Sequence, residues 1–494
     1  MTSGQKKEHS LILQRIRSKA FHRQVRRKKI QKKNRVQYHV PYDGLPVPRK
    51  LRRTEATIRQ HNIERSVKDY ANTKNRYIEK YLPPNLKYLI TTKESPFYFE
   101  KLIRQRFNSN GVVKVPKIFS IIEDPINGYL TLCKVISALL YEPTEGTFEL
   151  DYEGCEKVEL GSQILLDIIL KDFMKFSSIC LRIDRGQRKF FPVTVGGNNI
   201  NKEEVRKLIF SVGSPVTLNG NGHKYPDIIP YKLCIHDNEK ERDLDRRMEQ
   251  KELDTTEMAD YVLNCLTRMN KVLTPEKLDD LCTVIGEILI NAEEHSSTKY
   301  RFSIGYFKEY NVDDKHYGIF RLVILNFGQT IYEKFKSEDC PNKEIVSKMQ
   351  ELSESYTTRK LFRQREFEEE NLWTLYALQE GVSSVSPKEY KRGNGSIRFI
   401  ESFFNIKGSL EADDISSMTI LSGNTSVIFD GKYEIQTKIN ANNETFRVMT
   451  FNESGNIEEK PDNRSVCQRD QYFPGTLISA KILLNDDDLI QLEN

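Results

Sequence analysis

Between Leu281 and Ser297 the apolar and polar positions separate onto two arcs. Leu281, Val284, Ile285, Ile288 and Ala292 recur at three- and four-residue spacing, while Glu287, Asn291 and His295 recur every four residues beside them. On a helix turning about 100° per residue, those three polar side chains fall within roughly 80° of arc. The apolar set occupies the adjoining arc and would face a core. The pattern predicts a helix that carries a carboxylate, a carboxamide and an imidazole along the rim of a buried surface. Read alone, the same triplet also fits a helix edge whose polar residues simply face water.

Elsewhere the periodicity changes several times. Residues 55–110 read as amphipathic helix, broken at Pro83-Pro84 and near Pro96, because proline removes a donor and clashes with the preceding turn. From Val112 short strands and helices alternate. VVKVPKIFSII predicts a strand, 130–141 a helix, TFELDY (147–152) a strand, 162–173 an apolar helix, and CLRIDRG, from Cys180, another strand. Such alternation predicts a small α/β module over 111–235. Residues 236–254 carry dense mixed charge and almost nothing apolar, which predicts a linker or solvated helix and the main domain boundary.

The remaining segment, 255–494, starts with a helix near 257–271 and a second opening at Thr274-Pro275-Glu276. There threonine can cap exposed amides, and proline is tolerated in the first turn. Strand patterns follow at 300–307 and 318–325, the second ending in Asn326-Phe327-Gly328-Gln329-Thr330. A long stretch, about 332–391, holds Leu372, Trp373, Leu375, Tyr376 and Leu378, which suggest a helix packed on something. After it come Lys391-Arg392-Gly393-Asn394-Gly395, a helix at 397–404, and strands at 409–412, 418–422 and 426–429. A polar insertion, 436–472, precedes a last strand opening at Gly475-Thr476.

Composition narrows the class. At 494 residues two or three domains are expected. No apolar run approaches the roughly 20 residues that span a bilayer, so no membrane partner is expected. Eight cysteines lie scattered without a CxxC pair, which fits a reducing cytoplasm better than a disulfide or zinc framework. Charge is uneven. Residues 1–54 hold 17 Lys or Arg against two acids, a net of +15, so a whole-chain charge of +6 leaves −9 on the other 440 residues. A basic arm of this kind attracts phosphate backbones or an acidic partner without sequence preference. The alternative is a solvated tail that mainly keeps the protein soluble.

Taken in order, the C-terminal signals carry a resemblance. A helix with Glu-x-x-x-Asn-x-x-x-His, a strand with a glycine box, a long intervening stretch, a second glycine box with its helix, and a closing Gly-Thr resemble the GHKL superfamily of gyrase, heat-shock chaperone, histidine-kinase and MutL ATPases. The resemblance spans roughly 255–490. It implies a Bergerat-type two-layer α/β (α+β) sandwich that binds ATP and Mg²⁺ under a lid at about 332–391. It further implies Asn291 as the metal ligand, Glu287 as catalytic base and His295 near the phosphates. Asn326 and Gly328 would lie at the base, Gly393 and Gly395 at the phosphates with Lys391 and Arg392 as counter-charges, and Gly475 and Thr476 at the adenine end. This chain departs from the family at two points. Asn326 stands in place of an aspartate and can still accept the adenine amino group without charge, and Thr330 stands where a second glycine would be.

Gly475-Thr476 near the end of the chain resembles the histidine-kinase and anti-sigma branch, although no phosphoacceptor histidine helix is found. Residues 150–170, LDYEGCEKVELGSQILLDIIL, resemble the strand, loop and helix of STAS-type domains, with Ser162 the nearest match to the family's phosphorylated serine. Three functions stay open at this point. One is an ATP-binding, slowly hydrolysing regulatory switch that couples its lid to the α/β module, to a protein partner or to the arm, as a monomer or homodimer. The second is a serine/threonine kinase of anti-sigma type. The third is a non-enzymatic nucleic-acid-binding or scaffold protein with a vestigial pocket.

Overall fold

In the computed structural model, the residues described are 74–105, 107–142, 146–184, 191–192, 194–217, 224–237, 244–294, 296–312, 315–357, 366–384, 395–407, 413–439, 443 and 445–485. The basic arm, 1–54, lies outside them. Two helices, α1 (Pro84–Thr91) and α2 (Phe99–Gln105), follow the prolines that were expected to break the segment.

Next comes a parallel three-stranded sheet of β1 (Val112–Lys114), β3 (Thr147–Asp151) and β5 (Thr194–Asn198), in the order β1-β3-β5. A short parallel pair, β2 (Ile118–Phe119) with β4 (Lys157–Val158), lies beside it. Parallel neighbours need long crossovers, supplied here by α3 (Pro125–Leu140) and α4 (Leu160–Asp184), with α5 (Glu203–Ser211) after β5. Helix α3 is fixed at its start by Asp124, whose side chain accepts from the Asn127 amide.

The strand expected from Cys180 is a correction: Cys180 lies in the last turns of α4. Phe173, Phe176 and Cys180, all buried, recur at three- and four-residue spacing and continue the helical stripe. Ser162 is fully buried, accepts from the Ile121 amide at 2.8 Å and donates to Glu159, so its hydroxyl is engaged inside the module.

Asp167, on the buried face of α4, accepts from Ser214 Oγ and from Gln163 Nε2. Burial pushes its carboxyl up to about 7 against those hydrogen bonds. The folded state therefore keeps a proton that the unfolded chain releases near pH 4. Stability should fall as pH rises from about 4 to about 7, at up to ~1.4 kcal/mol per unit, and level off above that. In Asp167→Asn the carboxamide oxygen still accepts both bonds, so urea midpoints across this range should lose most of that slope. An unchanged slope would place the proton elsewhere.

A second sheet, of five antiparallel strands, organises the rest of the chain. Its strands are β6 (Ile228–Asp237), β7 (Ser296–Val312), β8 (Lys315–Gly328), β9 (Ser417–Phe429) and β12 (Val466–Asn485), in the order β6-β7-β8-β12-β9. Side chains alternate across it with period two. On one face Phe302, Ile304, Val323, Leu325 and Leu477 join the core of the parallel module. On the other, Phe307, Phe320, Leu322, Ile324 and Ala480 join a helical core. Helices α6 (Leu244–Arg268), α7 (Pro275–Glu294), α10 (Glu369–Ala377) and α11 (Gly395–Lys407) cover that second face.

The result is three layers rather than a two-layer sandwich with a separate module, because α1, α3 and α4 pack directly on β7, β8 or β12. At this junction Glu159 accepts from the amides of Gly161 and Ser162 at the start of α4, and Ser479 Oγ of β12 lies 3.5 Å from it. The charged stretch expected as a linker is divided between layers: His236 and Asp237 end β6, while 244–254 open α6. Strand β6, from the expected module range, pairs with β7. Two further helices, α8 (Ile331–Lys336) and α9 (Lys343–Thr357), and a hairpin, β10 (Gln436–Ile439) with β11 (Thr445–Val448), lie between these elements. Among the described residues no helix is long and apolar enough to cross a membrane. The eight cysteines are all free thiols.

Candidate functional site

Helix α7 starts as its sequence requires. Thr274 Oγ1 accepts from the Lys277 amide at 3.4 Å, and Pro275 takes the first turn. Leu281, Val284, Ile285 and Ile288 are buried, joined by Leu289, and Ala292 packs against them. Glu287 and Asn291 are half-buried on the adjoining arc. The helix lies on β7 and β8 and against α6 and α11. His295 lies outside the described residues, as do Lys391, Arg392 and Gly393, whereas Gly395 opens α11.

At the end of β8, Asn326 stands opposite Thr476 of β12. Alternation puts both on the helix-covered face, in line with Ile324 and Ile478. Asn326 is 3% exposed, and its Nδ2 has no hydrogen-bond partner among the described residues. Thr476 Oγ1 lies 3.1 Å from Ser422 Oγ, which donates to the Gly475 carbonyl at 3.0 Å and accepts from the Ile331 amide at 3.0 Å. Three segments distant in sequence, the end of β8, the middle of β9 and β12 just after its bulges, are thereby held at one place. The register of β12 against β9 shifts immediately before Thr476. Gly475 has φ +147°, and a Cβ there would lie 2.1 Å from the Asn326 carbonyl oxygen. Only glycine allows this approach.

Gly328 is buried and pairs with Ser296, the first residue of β7 after α7. Thr330 does something that the glycine-box comparison alone does not suggest. It caps α8: Oγ1 accepts from the Glu333 amide at 3.1 Å, and the Glu333 carboxylate accepts from the Thr330 amide at 2.9 Å. Its φ is −70°, so no glycine is needed there. The other Glu333 oxygen accepts from Tyr472 Oη at 2.7 Å. The expected helix around Trp373 is α10. Leu372, Trp373 and Leu375 are buried against β9 and β12, and Trp373 Nε1 donates to Ser353 Oγ of α9. Part of the stretch expected as a lid is therefore core.

Sequence reasoning missed a buried charged network at the end of α7. Arg301 Nη2 donates to Asp254 Oδ2 at 2.6 Å, and His236 Nδ1 lies 3.3 Å from the same oxygen. Lys251 Nζ lies 3.4 Å from Glu293 Oε1, while Arg301 Nε and His236 Nε2 each lie 3.6 Å from Glu293 Oε2. Burial would raise the Asp254 carboxyl, but hydrogen bonds from His236 and Gln250 and the Arg301 charge hold it below its ordinary value. His236 and Arg301 face each other across β6 and β7, so the network ties both strands to α6 and α7. One sequence signal was present. Arg301 occupies an inward position of a strand whose Ser303, Gly305 and Phe307 share its face, and a buried arginine requires a carboxylate.

No family model matches the sequence, and no curated protein or solved structure matches it. The assignment of the site therefore rests on its own geometry.

The residues fit the expected ligands in kind. Asn326 has an unpartnered amide at the end of the sheet, and Gly475 permits close backbone approach. Gly395 begins a helix whose N-terminal amides suit phosphate, and Asn291 offers a neutral oxygen to Mg²⁺, which keeps several waters and takes few protein ligands.

Proposed function

We propose that this protein is a nucleotide-responsive switch that binds ATP with Mg²⁺ in a GHKL-type site and hydrolyses it slowly. The observation that carries the reading is the register pairing of Asn326 with Thr476 beneath Gly475, on the face of the sheet that also carries α7. A helix bearing Glu287 and Asn291 ahead of a hairpin, and the order β6-β7-β8-β12-β9, support it further. Asn291 would hold the metal ion. Glu287, one turn earlier, would accept the proton of an attacking water. Asn326 and Thr476 would orient the base, and the amides opening α11 would meet the phosphates. Bound Mg²⁺ supplies charge neutralisation to the phosphates.

Coupling follows from the layers, since the sheet that carries Asn326 and Thr476 also packs on the parallel module through its opposite face. The basic arm is proposed to anchor the protein to nucleic acid or an acidic partner.

Titration calorimetry of the full chain with Mg·ATP tests the site. Asn291→Ala should weaken binding by roughly tenfold or more in Mg²⁺ and far less in EDTA. Glu287→Ala should leave binding in place and lower phosphate release by about 10²–10⁴-fold. No binding by the wild-type chain would overturn the reading. Radiolabel appearing on a protein hydroxyl instead of as free phosphate would reassign the chain to the serine/threonine kinases.

A further inference from the structure

We infer that this site takes 6-oxopurine nucleotides, the GTP class, as well as ATP, with Asn326 as the residue that removes the discrimination. The inference rests on the nucleotide reading above and extends it to the class of base. Asn326 is 3% exposed, and its Nδ2 is a buried donor without a partner among the described residues. The hydroxyls beside it are already engaged with each other, Thr476 Oγ1 with Ser422 Oγ, and Ser422 with the Gly475 carbonyl and the Ile331 amide. An unpaired donor in such a place is costly, so a ligand that brings an acceptor to it gains from relieving that cost.

The chemistry of the carboxamide defines the class of that acceptor. Aspartate at this position would offer acceptor oxygens alone, whereas asparagine offers one acceptor and one two-proton donor. A 6-aminopurine donates from its N6 amine and accepts at N1. A 6-oxopurine reverses the pattern, accepting at O6 and donating from N1–H. Rotating the amide by half a turn lets Oδ1 and Nδ2 answer either edge with two hydrogen bonds. A carboxylate facing O6 would repel it and leave two acceptors opposed. Thr476, directly across the strand pair, gives its hydroxyl proton to Ser422 Oγ, whose own proton goes to the Gly475 carbonyl, so towards a base it can only accept, and the switch between base edges falls to the Asn326 amide.

The test is calorimetric titration of the full chain with the Mg²⁺ complexes of ATP, GTP, ITP and CTP, on the wild type, Asn326→Asp and Asn326→Ala. Wild type should bind ATP and GTP within roughly tenfold of each other, with ITP alongside GTP and CTP much weaker. In Asn326→Asp, GTP and ITP should lose about 10–100-fold while ATP stays within about threefold. Asn326→Ala, which buries no new charge, should weaken both purines to a similar degree and covers the case in which the aspartate variant does not fold. ATP binding with GTP more than about 100-fold weaker in the wild type would overturn the inference and leave the nucleotide reading standing. GTP affinity unchanged in Asn326→Asp would also overturn the inference alone. Failure of the wild type to bind any of the four would overturn the nucleotide reading itself.

Discussion

Gly475→Ala is expected to cost about 3–5 kcal/mol of stability and to lower the thermal midpoint by roughly 10 °C. Two effects add. A side chain at φ +147° is strained wherever it occurs, and here the new methyl group would meet the Asn326 carbonyl oxygen at 2.1 Å and the Phe327 Cα at 2.9 Å. Both are backbone atoms at the end of the β8–β12 pairing, fixed by that ladder, so neither can rotate away. The strand must separate, and with it the Ser422 bond to the Gly475 carbonyl. Ser479→Ala, four residues along the same strand, provides the comparison, because the Ser479 hydroxyl makes only a 3.5 Å contact with Glu159. Thermal unfolding by circular dichroism should show a large shift for the first variant and about 1 kcal/mol or less for the second. A Gly475→Ala variant as stable as wild type would mean that β12 does not approach β8 as described.

Arg301→Met should be comparably damaging, at about 3–5 kcal/mol, for an electrostatic reason. The arginine side chain is 3% exposed and the Asp254 and Glu293 side chains 4% each, so all three charges are out of water. Removing the cation leaves two buried carboxylates with His236 and the half-exposed Lys251 for compensation. Methionine keeps most of the volume, so the loss reports charge rather than a cavity. Neutralising both acids should therefore restore much of the stability. The triple variant, Arg301→Met with Asp254→Asn and Glu293→Gln, should be more stable than Arg301→Met alone. Additive losses would show that the arginine acts through packing.

The parts of this fold that could be read from the chain are those where one face is apolar and the other is not. Helix α7 has that form, and its capped start at Thr274 and its buried stripe follow from the sequence. The alternation of short strands and helices likewise led to the parallel module. Where both faces are apolar, periodicity loses its force. Cys180–Asp184 read as a strand because five residues cannot separate a strand from the last turns of a helix, and contact with Phe176 and the module core decided for helix.

Strand β6 lies across the boundary expected between 235 and 236, for another reason. Pro230 and a register shift between Tyr231 and Cys234 interrupt its alternation, and its partner β7 lies far along the chain. A clue to the third layer was present in GIFRLVILNF, since a nearly continuous apolar run signals a strand covered on both sides. Within the site, Asn326 and Thr476 come together as partners across β8 and β12. Ser422, the Thr330 cap and the Arg301 network could not be read, because each depends on contacts between residues remote in sequence.

The doubly covered sheet has a consequence for how such a protein can change over time. Phe302, Ile304, Val323 and Leu325 are shared with the parallel module, so a C-terminal half passed on alone would carry an oily face into water. A C-terminal half cut off near residue 236 should therefore aggregate when produced without the residues before it. A sheet covered on both faces thus tolerates single substitutions more readily than the exchange of either half.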